Sequence, residues 1–360
     1  LEQHLASHPD LIPDYNYEET TTYLFSRQVT CPHCGGNAPL LNTCWLSKQD
    51  GDQWGVKIIP DGRKRNGTIR FKTYRVRHGK GPRGEDPNLS TVSNAVGQCI
   101  HCKQAISAEE IKRQARGESQ YGELEDRLYC IAAVRYQPKL KRGQIYRYKS
   151  GQKEGEIRTE KVTYFRPPND RDLKALQKAE ERLQERWPEW ERKGLIPTES
   201  IPEGHKTREP LRFGMTRWCD MFTPRQLLVH LTLIETLNRL KSQILAELGE
   251  ERGRAVTTYL QFVIDKGVDY NSRQTLWHAS RGVIAHTFTR HDYSVKWTFG
   301  EMIFAGPNSG VAWGLDQILD AYLSIVELVE PVHDRLEGDP PPLQNLNRTA
   351  AHMPEISDES

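Results

Sequence analysis

Two short stretches, Cys31-Pro-His-Cys34 and Cys99-Ile-His-Cys102, decide how the first part of this chain folds. Each C-x-x-C spacing brings two thiolates onto one metal ion through a tight turn, and four thiolates complete a tetrahedral zinc site. The fold has only to bring the two turns together. We therefore predict one structural Zn²⁺, bound by Cys31, Cys34, Cys99 and Cys102.

Two other interpretations of these cysteines are open, a dithiol redox pair and unrelated structural cysteines. Two C-x-x-C motifs without a surrounding βαβ pattern disfavour the redox pair. His33 and His101 lie inside the motifs and could replace a thiolate, but four cysteines leave no vacancy. The isolated cysteines, Cys44, Cys130 and Cys219, have apolar or aromatic neighbours and are predicted to fill the core.

Composition limits the class of protein. Seven cysteines in 360 residues, an odd number, argue against a disulfide framework and for a reducing compartment. We find neither an N-terminal leader nor a run of about 18 apolar residues, so we predict a cytoplasmic protein with no membrane partner. A chain that is 36% hydrophobic and 27% charged has a modest core and a large surface. This composition favours several small modules over one large globular domain. Because the chain opens at Leu1 and closes without a capping signal, we expect a piece of something longer.

The order of the patterns predicts an α+β, multi-module fold. After an N-terminal lead-in (1–27), residues 28–105 have strand and turn patterns typical of a zinc ribbon with a β insertion, with strands at Pro39–Leu46, Trp54–Ile59 and Ile69–Val76. A region of mixed strand and helix follows (106–194), with a helix that starts near Asn169. The other predicted segments are a Pro-rich linker (195–210), a mainly helical region (211–335) and a Pro-rich acidic end (336–360).

The clearest helix signal is Thr223-Pro-Arg-Gln226, which combines an N-cap Thr, Pro at the first helical position and Gln three residues after the cap. Further helices are predicted at Arg254–Lys266 and Ala312–Val329. Apolar residues after the cap predict a stripe that is buried as far as Gly249. Its members are Leu227, Leu231, Ile234, Leu237, Leu240, Ile244 and Leu248.

Two clusters of basic residues suggest contact with nucleic acid. Nine basic residues and no acidic one lie between Gly62 and Gly84, although the net charge of the chain is only +2. Strand alternation would place Ile69 and Phe71 on one face and Arg70 and Lys72 on the other, towards a phosphate backbone. The predicted DNA contacts are Arg63, Lys64, Arg65, Arg70, Lys72, Arg75 and Arg77.

The second cluster, between Arg135 and Lys149, interleaves tyrosines with cations, and aromatic rings can stack on exposed bases. Ordinary solvated hairpin surfaces are the competing interpretation of both clusters.

Motifs for catalytic chemistry are missing from the sequence. It has no P-loop, G-x-G-x-x-G, H-E-x-x-H or G-x-S-x-G motif. His278, His286 and His291 lie in one stretch with Asp292, and packed or surface histidines are the simpler interpretation. We therefore predict no catalytic residue in this chain.

The segment Gly214-Met-Thr-Arg-Trp-Cys-Asp-Met-Phe-Thr-Pro-Arg-Gln-Leu-Leu228 resembles a G-M-x-x-W-x-D-x-F-x-x-R-Q-L stretch of adenine-specific DNA methyltransferases that carry an internal zinc ribbon. Asp269-Tyr-Asn-Ser272 followed by Trp277, and Cys31-Pro-His-Cys34-Gly-Gly, resemble other stretches of that family. In such enzymes, the resemblance implies, S-adenosylmethionine is bound upstream by Asp-Pro-Phe-x-Gly-x-Gly and the target amine is engaged downstream by Asp-Pro-Pro-Tyr. Neither motif occurs in this sequence, and Asp339-Pro-Pro-Pro342 lacks the aromatic residue. Only the four cysteines carry over with a role.

The resemblance implies an internal segment of a DNA adenine-N6 methyltransferase, in which the zinc ribbon region assists DNA binding. S-adenosylmethionine and catalysis on a flipped adenine would belong to the intact parent, and DNA and the flanking methylase domain would be the partners. The alternative is a complete, non-enzymatic zinc-ribbon module for nucleic-acid binding or assembly. A structural insertion that contacts no DNA is a third possibility.

Overall fold

The computed structural model describes residues 18–289, 293–306 and 309–333. Within these ranges, sheets and helices are mixed, which confirms the α+β prediction. The chain divides into two compact units after Gly314. The first unit contains every described strand, and the described part of the second is the rest of the last helix, to His333.

The central sheet is built on β1 (Glu18–Thr30), a long, largely buried strand. It pairs antiparallel with β9 (Glu125–Pro138) along most of its length, and its other edge pairs with β2 (Asn37–Leu40) and β15 (Thr298–Met302). β12 (Thr159–Arg166) extends the sheet beyond β9. The strands of this one sheet thus come from four of the segments that the sequence pattern distinguishes, from the N-terminal lead-in to the helical region.

A three-stranded meander of β3 (Trp45–Gln49), β4 (Asp52–Pro60) and β5 (Ile69–Arg75) packs against the central sheet. Phe71 contacts Tyr129, and the Thr73 hydroxyl donates a hydrogen bond to the Phe165 carbonyl, 2.9 Å away. The prediction of one strand over Pro39–Leu46 is wrong, because the chain turns between β2 and β3. The short strands are β6 (Val92–Ser93), β7 (Val96–Gln98), β8 (Ala105–Ile106), β10 (Leu140–Lys141), β11 (Gln144–Ile145), β13 (Leu276–His278) and β14 (Val283–Ala285).

The predicted start of the longest described helix is confirmed. The Thr223 hydroxyl accepts a hydrogen bond from the Gln226 backbone N–H, and the Gln226 side chain accepts one from the Thr223 N–H. The helices are α1 (Ala108–Ala115), α2 (Asp170–Arg192), α3 (Arg208–Arg212), α4 (Pro224–Leu248), α5 (Glu250–Tyr270) and α6 (Gly310–His333), with 3₁₀ turns at Trp218–Met221 and Thr287–Thr289. None of these helices, as far as the structure describes them, is long and apolar enough to cross a bilayer.

The stripe on α4 is buried for only part of the predicted length. Leu227, Leu231 and Leu237 are buried, but Leu240 and Leu248 are exposed. The reason lies in the neighbouring α2, whose C-terminal part and C-cap contact α4 at Glu235 through ion pairs from Arg186 and Lys193. α2 ends at Arg192, so beyond this point α4 packs mainly on α5.

The predicted linker, 195–210, is irregular except for the start of α3. It is nevertheless packed within the first unit, because Ile196 and Ile201 are buried in two apolar clusters. The isolated cysteines, Cys44, Cys130 and Cys219, are buried, as predicted.

Candidate metal centre and basic surface

The structure brings both C-x-x-C motifs together at the end of β1 and after β7. The Sγ atoms of Cys31, Cys34, Cys99 and Cys102 all lie within 4.8 Å of one another. The Cys31–Cys102 and Cys34–Cys99 Sγ distances are both 3.7 Å. Thiolates about 2.3 Å from a central ion at tetrahedral angles would be about 3.8 Å apart. The four cysteines could therefore hold one metal ion.

The two motifs form separate turns that have the same backbone geometry. In the first, the Gly35 N–H donates a hydrogen bond to the Cys31 carbonyl at 2.8 Å, and in the second the Lys103 N–H donates to the Cys99 carbonyl at 3.0 Å. Gly35 and Lys103 occupy the same position in each turn and both have a left-handed φ, 69° and 63°. Glycine adopts this φ without strain. The two C-x-x-C motifs thus form equivalent turns, and we call each of these turns a knuckle.

Burial disfavours the thiolate form of two of the four cysteines. Burial raises the pKa of Cys31, although the backbone N–H groups of His33 and Cys34 donate to its sulfur and oppose that effect. Burial likewise raises the pKa of Cys99. Thiols of this kind are protonated in the absence of a positive charge, and a metal ion displaces their protons when it binds. Metal affinity at this site should therefore fall as the pH is lowered.

Neither histidine of the two motifs belongs to the four-ligand cluster. His33 is exposed, and one of its ring nitrogens lies 3.2 Å from the Ala105 carbonyl oxygen. The His101 ring is held between Gly36 and Gly67, and its nitrogens have no hydrogen-bond partner among the described residues. His101 therefore acts as a spacer that packs one loop on another.

The loop packed against His101 is the connection between β4 and β5, residues 61–68, which we call the basic turn because it contains Arg63, Lys64 and Arg65. The Asn66 N–H donates a hydrogen bond to the Cys34 carbonyl at 2.8 Å, and the Asn37 N–H donates to the Gly67 carbonyl at 2.9 Å. The first knuckle thus holds the basic turn directly by its backbone.

Within the basic turn, the exposed carboxylate of Asp61 orders the chain. It accepts hydrogen bonds from the backbone N–H groups of Thr68 and Arg63, and these bonds lower the pKa of Asp61 to about 2. The turn therefore has a defined backbone, and its cations are presented from a fixed loop.

Replacing Gly67 with alanine is expected to loosen the basic turn. A Cβ atom at Gly67 would lie 2.5 Å from the His101 ring, so the ring or the turn must move. Overpacking of this kind typically costs about 1–3 kcal/mol. Thermal unfolding should show this loss for G67A and partial recovery in the G67A/H101A double variant. Equal stability of G67A and the unmodified chain would contradict the packing of His101 on Gly67.

The predicted DNA contacts divide into two groups. Lys64, Arg65, Arg70, Lys72 and Arg77 are exposed and form no ion pair within the described part of the chain. Arg70 and Lys72 lie on the outer face of β5, as the alternation predicts, and Lys57 of β4 is paired with Lys72 in the sheet register.

The other two predicted contacts, Arg63 and Arg75, form ion pairs with carboxylates of the chain itself. Arg63 forms an ion pair with Asp61 at 3.5 Å. Arg75 lies on the opposite face of β5 from Arg70, forms an ion pair with Asp52, and its guanidinium lies 4.1 Å from the centroid of the Trp54 ring. Arg75 is therefore not part of one row of cations with Arg70 and Lys72.

The two described histidines of the later stretch, His278 and His286, do not form a cluster. His286 lies 3.1 Å from the Asp269 carboxylate, whereas His278 contacts Ser280. His291 and Asp292 lie outside the described residues. The residues that sequence reasoning missed are Asn66, Gly67 and His101 in their docking role. The sequence signal that could have identified two of them is the Asn66-Gly67 dipeptide, a typical turn sequence, directly after the basic run.

The chain was also compared with known proteins. No family model, curated protein or solved structure matches it, so the interpretation of this site depends on its own geometry.

Proposed function

We propose that this chain is a DNA-binding segment of an adenine-N6 methyltransferase, stabilised by one Zn²⁺ on Cys31, Cys34, Cys99 and Cys102. The observation that carries the DNA-binding part is the hydrogen bond from Asn66 to the Cys34 carbonyl, because it links the basic turn to the metal centre. The choice of parent enzyme depends on the Gly214–Leu228 resemblance. S-adenosylmethionine belongs to that parent.

Zinc is favoured over other ions by the chemistry of the ligands. Four soft thiolates in a tetrahedral arrangement suit Zn²⁺ or an iron–sulfur centre, and hard cations such as Mg²⁺ and Ca²⁺ prefer oxygen. Thiolate spacing near 3.7 Å suits a single ion at the centre of the four sulfur atoms. We therefore assign a structural role to the ion, with no open position for a substrate.

Duplex DNA is the partner that the charges favour. Lys64 and Arg65 on the basic turn, and Arg70 and Lys72 on β5, are exposed and lack a carboxylate partner among the described residues. Cations on a rigid turn and strand suit the phosphate backbone, whose binding is independent of sequence and falls steeply with salt. These residues would position the DNA and would not read its bases.

The last helix supports the assignment of a flanking methylase domain as the second partner. Considered by itself, α6 exposes several apolar residues, among them Leu319, Leu323 and Leu328. Exposed apolar residues grouped on one helix are usually covered by another chain or domain. The same observation favours the alternative, a zinc-containing assembly module, if the parent carries no methylase motifs.

The test of DNA binding is a fourfold substitution, K64Q/R65Q/R70Q/K72Q, measured against a 20-bp duplex over a range of salt. Each lost phosphate contact should reduce the slope of log affinity against log salt by about 0.9, so the total loss should be about three to four. The matched control is R171Q/K174Q/K178Q/R182Q, which removes the same charge from exposed positions on α2. Equal affinity and slope for both variants would disprove the proposed DNA surface.

A further inference from the structure

Residues 139–158 form an extension of the central sheet, which we call the arm. It leaves the central sheet after Pro138, where β9 ends, and returns at Thr159, where β12 begins. Its backbone is ordered by the β10–β11 pair and by a hydrogen bond from the Arg158 N–H to the Tyr146 carbonyl at 2.9 Å. The arm is therefore an extension of two sheet strands and has a defined backbone.

Two tyrosines lie on one face of the arm. The guanidinium of Arg158 lies 5.8 Å from the Tyr146 ring centroid and 5.7 Å from that of Tyr148, so one cation touches both rings. The Lys141 ammonium lies 5.3 Å from the Tyr146 ring. Arg147, between the tyrosines, bonds instead to the Gly155 carbonyl. Arg147 forms an isolated antiparallel bridge with Ile157, and alternate residues of such extended backbone share a face, which places Tyr146 and Tyr148 on the same side of the arm.

Neither tyrosine belongs to an apolar core cluster among the described residues. Both rings are partly exposed, and their hydroxyls form no hydrogen bond within that same part of the chain. Core packing does not explain two aromatic rings at this position. Their contacts are with cations of the arm itself.

The arm also carries a large excess of positive charge over negative. Its two acidic residues are Glu154 and Glu156, and none of its cations forms an ion pair within the described ranges. The cations are Lys139, Lys141, Arg142, Arg147, Lys149, Lys153 and Arg158.

We propose that the arm binds single-stranded DNA, with Tyr146 and Tyr148 stacked on unpaired bases and the surrounding cations on the phosphates. Aromatic rings among cations are the usual basis of single-strand binding, because every base has a face that can stack. A duplex hides those faces, and the basic turn and outer face of β5, which suit a duplex, offer cations alone. The inference rests on the proposed function only in the choice of DNA as the partner.

The experiment measures binding of the full chain to labelled oligothymidylate of 20 nucleotides and to a 20-bp duplex at one salt concentration. The double variant Y146L/Y148L should lose at least about tenfold in affinity for the oligonucleotide. Stacking of a base on one of the two rings should by itself contribute about a factor of ten. Its duplex affinity should stay within about twofold. Y146F/Y148F keeps both rings and should bind oligothymidylate like the unmodified chain.

The two proposals fail separately in this design. Loss of duplex binding in K64Q/R65Q/R70Q/K72Q, with unchanged oligothymidylate affinity, would support both surfaces. A chain that binds the oligonucleotide through the tyrosines but shows no duplex binding would contradict only the proposed function. Oligothymidylate affinity that is absent, or is the same in Y146L/Y148L and the unmodified chain, would overturn the assignment of the arm. A cooperative thermal unfolding transition, measured for each variant, is the check that it is folded.

Discussion

Replacing Cys34 with serine is expected to destabilise the chain severely. Cys34 is buried, its carbonyl holds Asn66 of the basic turn, and its Sγ lies 3.7 Å from that of Cys99. Structural zinc contributes about 10–16 kcal/mol of apparent binding free energy in small zinc-binding peptides. We expect C34S to lose at least about 4 kcal/mol of unfolding free energy, because three ligands hold the ion far less tightly.

The matched control for this substitution is C44A, which removes a buried cysteine that lies outside the four-thiol cluster. A small cavity in the core should cost about 1 kcal/mol and leave the metal in place. Thermal unfolding with and without a chelator distinguishes the two variants. The chelator should strongly destabilise the unmodified chain and C44A, and should have little further effect on C34S. Equal unfolding of C34S and C44A, both insensitive to chelator, would contradict a structural metal.

The second large effect is expected at Asp126, which neutralises two arginines at the central sheet. Its carboxylate forms ion pairs with Arg27 and, at 2.9 Å, with Arg273. Arg27 is buried, and its guanidinium also lies 4.9 Å from the Phe299 ring centroid. Burial lowers the pKa of Arg27 to about 10, against the opposing attraction of Asp126. The carboxylate is thus the compensating charge for a buried guanidinium.

We expect D126N to lose about 3–5 kcal/mol of unfolding free energy, because removal of one partner leaves buried charge uncompensated. D52N is the matched control, since it breaks the half-exposed ion pair to Arg75 and should cost less than about 1 kcal/mol. Denaturant unfolding of both variants measures the difference. Similar, small losses for D126N and D52N would show that the buried pair makes no special contribution.

The ion pairs of Asp126 also predict how the free energy of unfolding depends on pH. Burial raises the pKa of Asp126, but the charges of Arg27 and Arg273 outweigh burial and lower it overall. A carboxyl group with a lowered pKa contributes stability above its unfolded pKa, near 4, and loses that contribution as the pH falls through its folded pKa. The difference in unfolding free energy between the unmodified chain and D126N should therefore be full at pH 7 and shrink below about pH 4.

Local patterns predicted much of this molecule. C-x-x-C spacing identified the four thiols, because each motif fixes two sulfur positions within one turn. Alternation identified the exposed face of β5 at Arg70 and Lys72, and the Thr223 capping box identified the start of α4. Each of these features depends on residues that are close together in the chain.

Long-range pairings could not be predicted in this way. β1 pairs with β9 and β15, which lie far along the chain, and no local signal states which strands are neighbours. Arg75 belongs to a basic run by sequence, yet Asp52 on the neighbouring strand engages it. The end of the buried stripe on α4 was likewise set by where α2 stops. Contact partners, more than secondary structure, were the missing information.

Metal analysis of the folded chain, combined with a count of its reactive thiols, is the decisive test of a zinc-stabilised fold. We expect one zinc per chain and little thiol reactivity, since four of the seven cysteines would bind the ion and Cys44, Cys130 and Cys219 are buried. A strong chelator should release the zinc and make the four thiols reactive. A folded chain that holds no metal, and whose Cys31, Cys34, Cys99 and Cys102 react freely from the start, would disprove the zinc site.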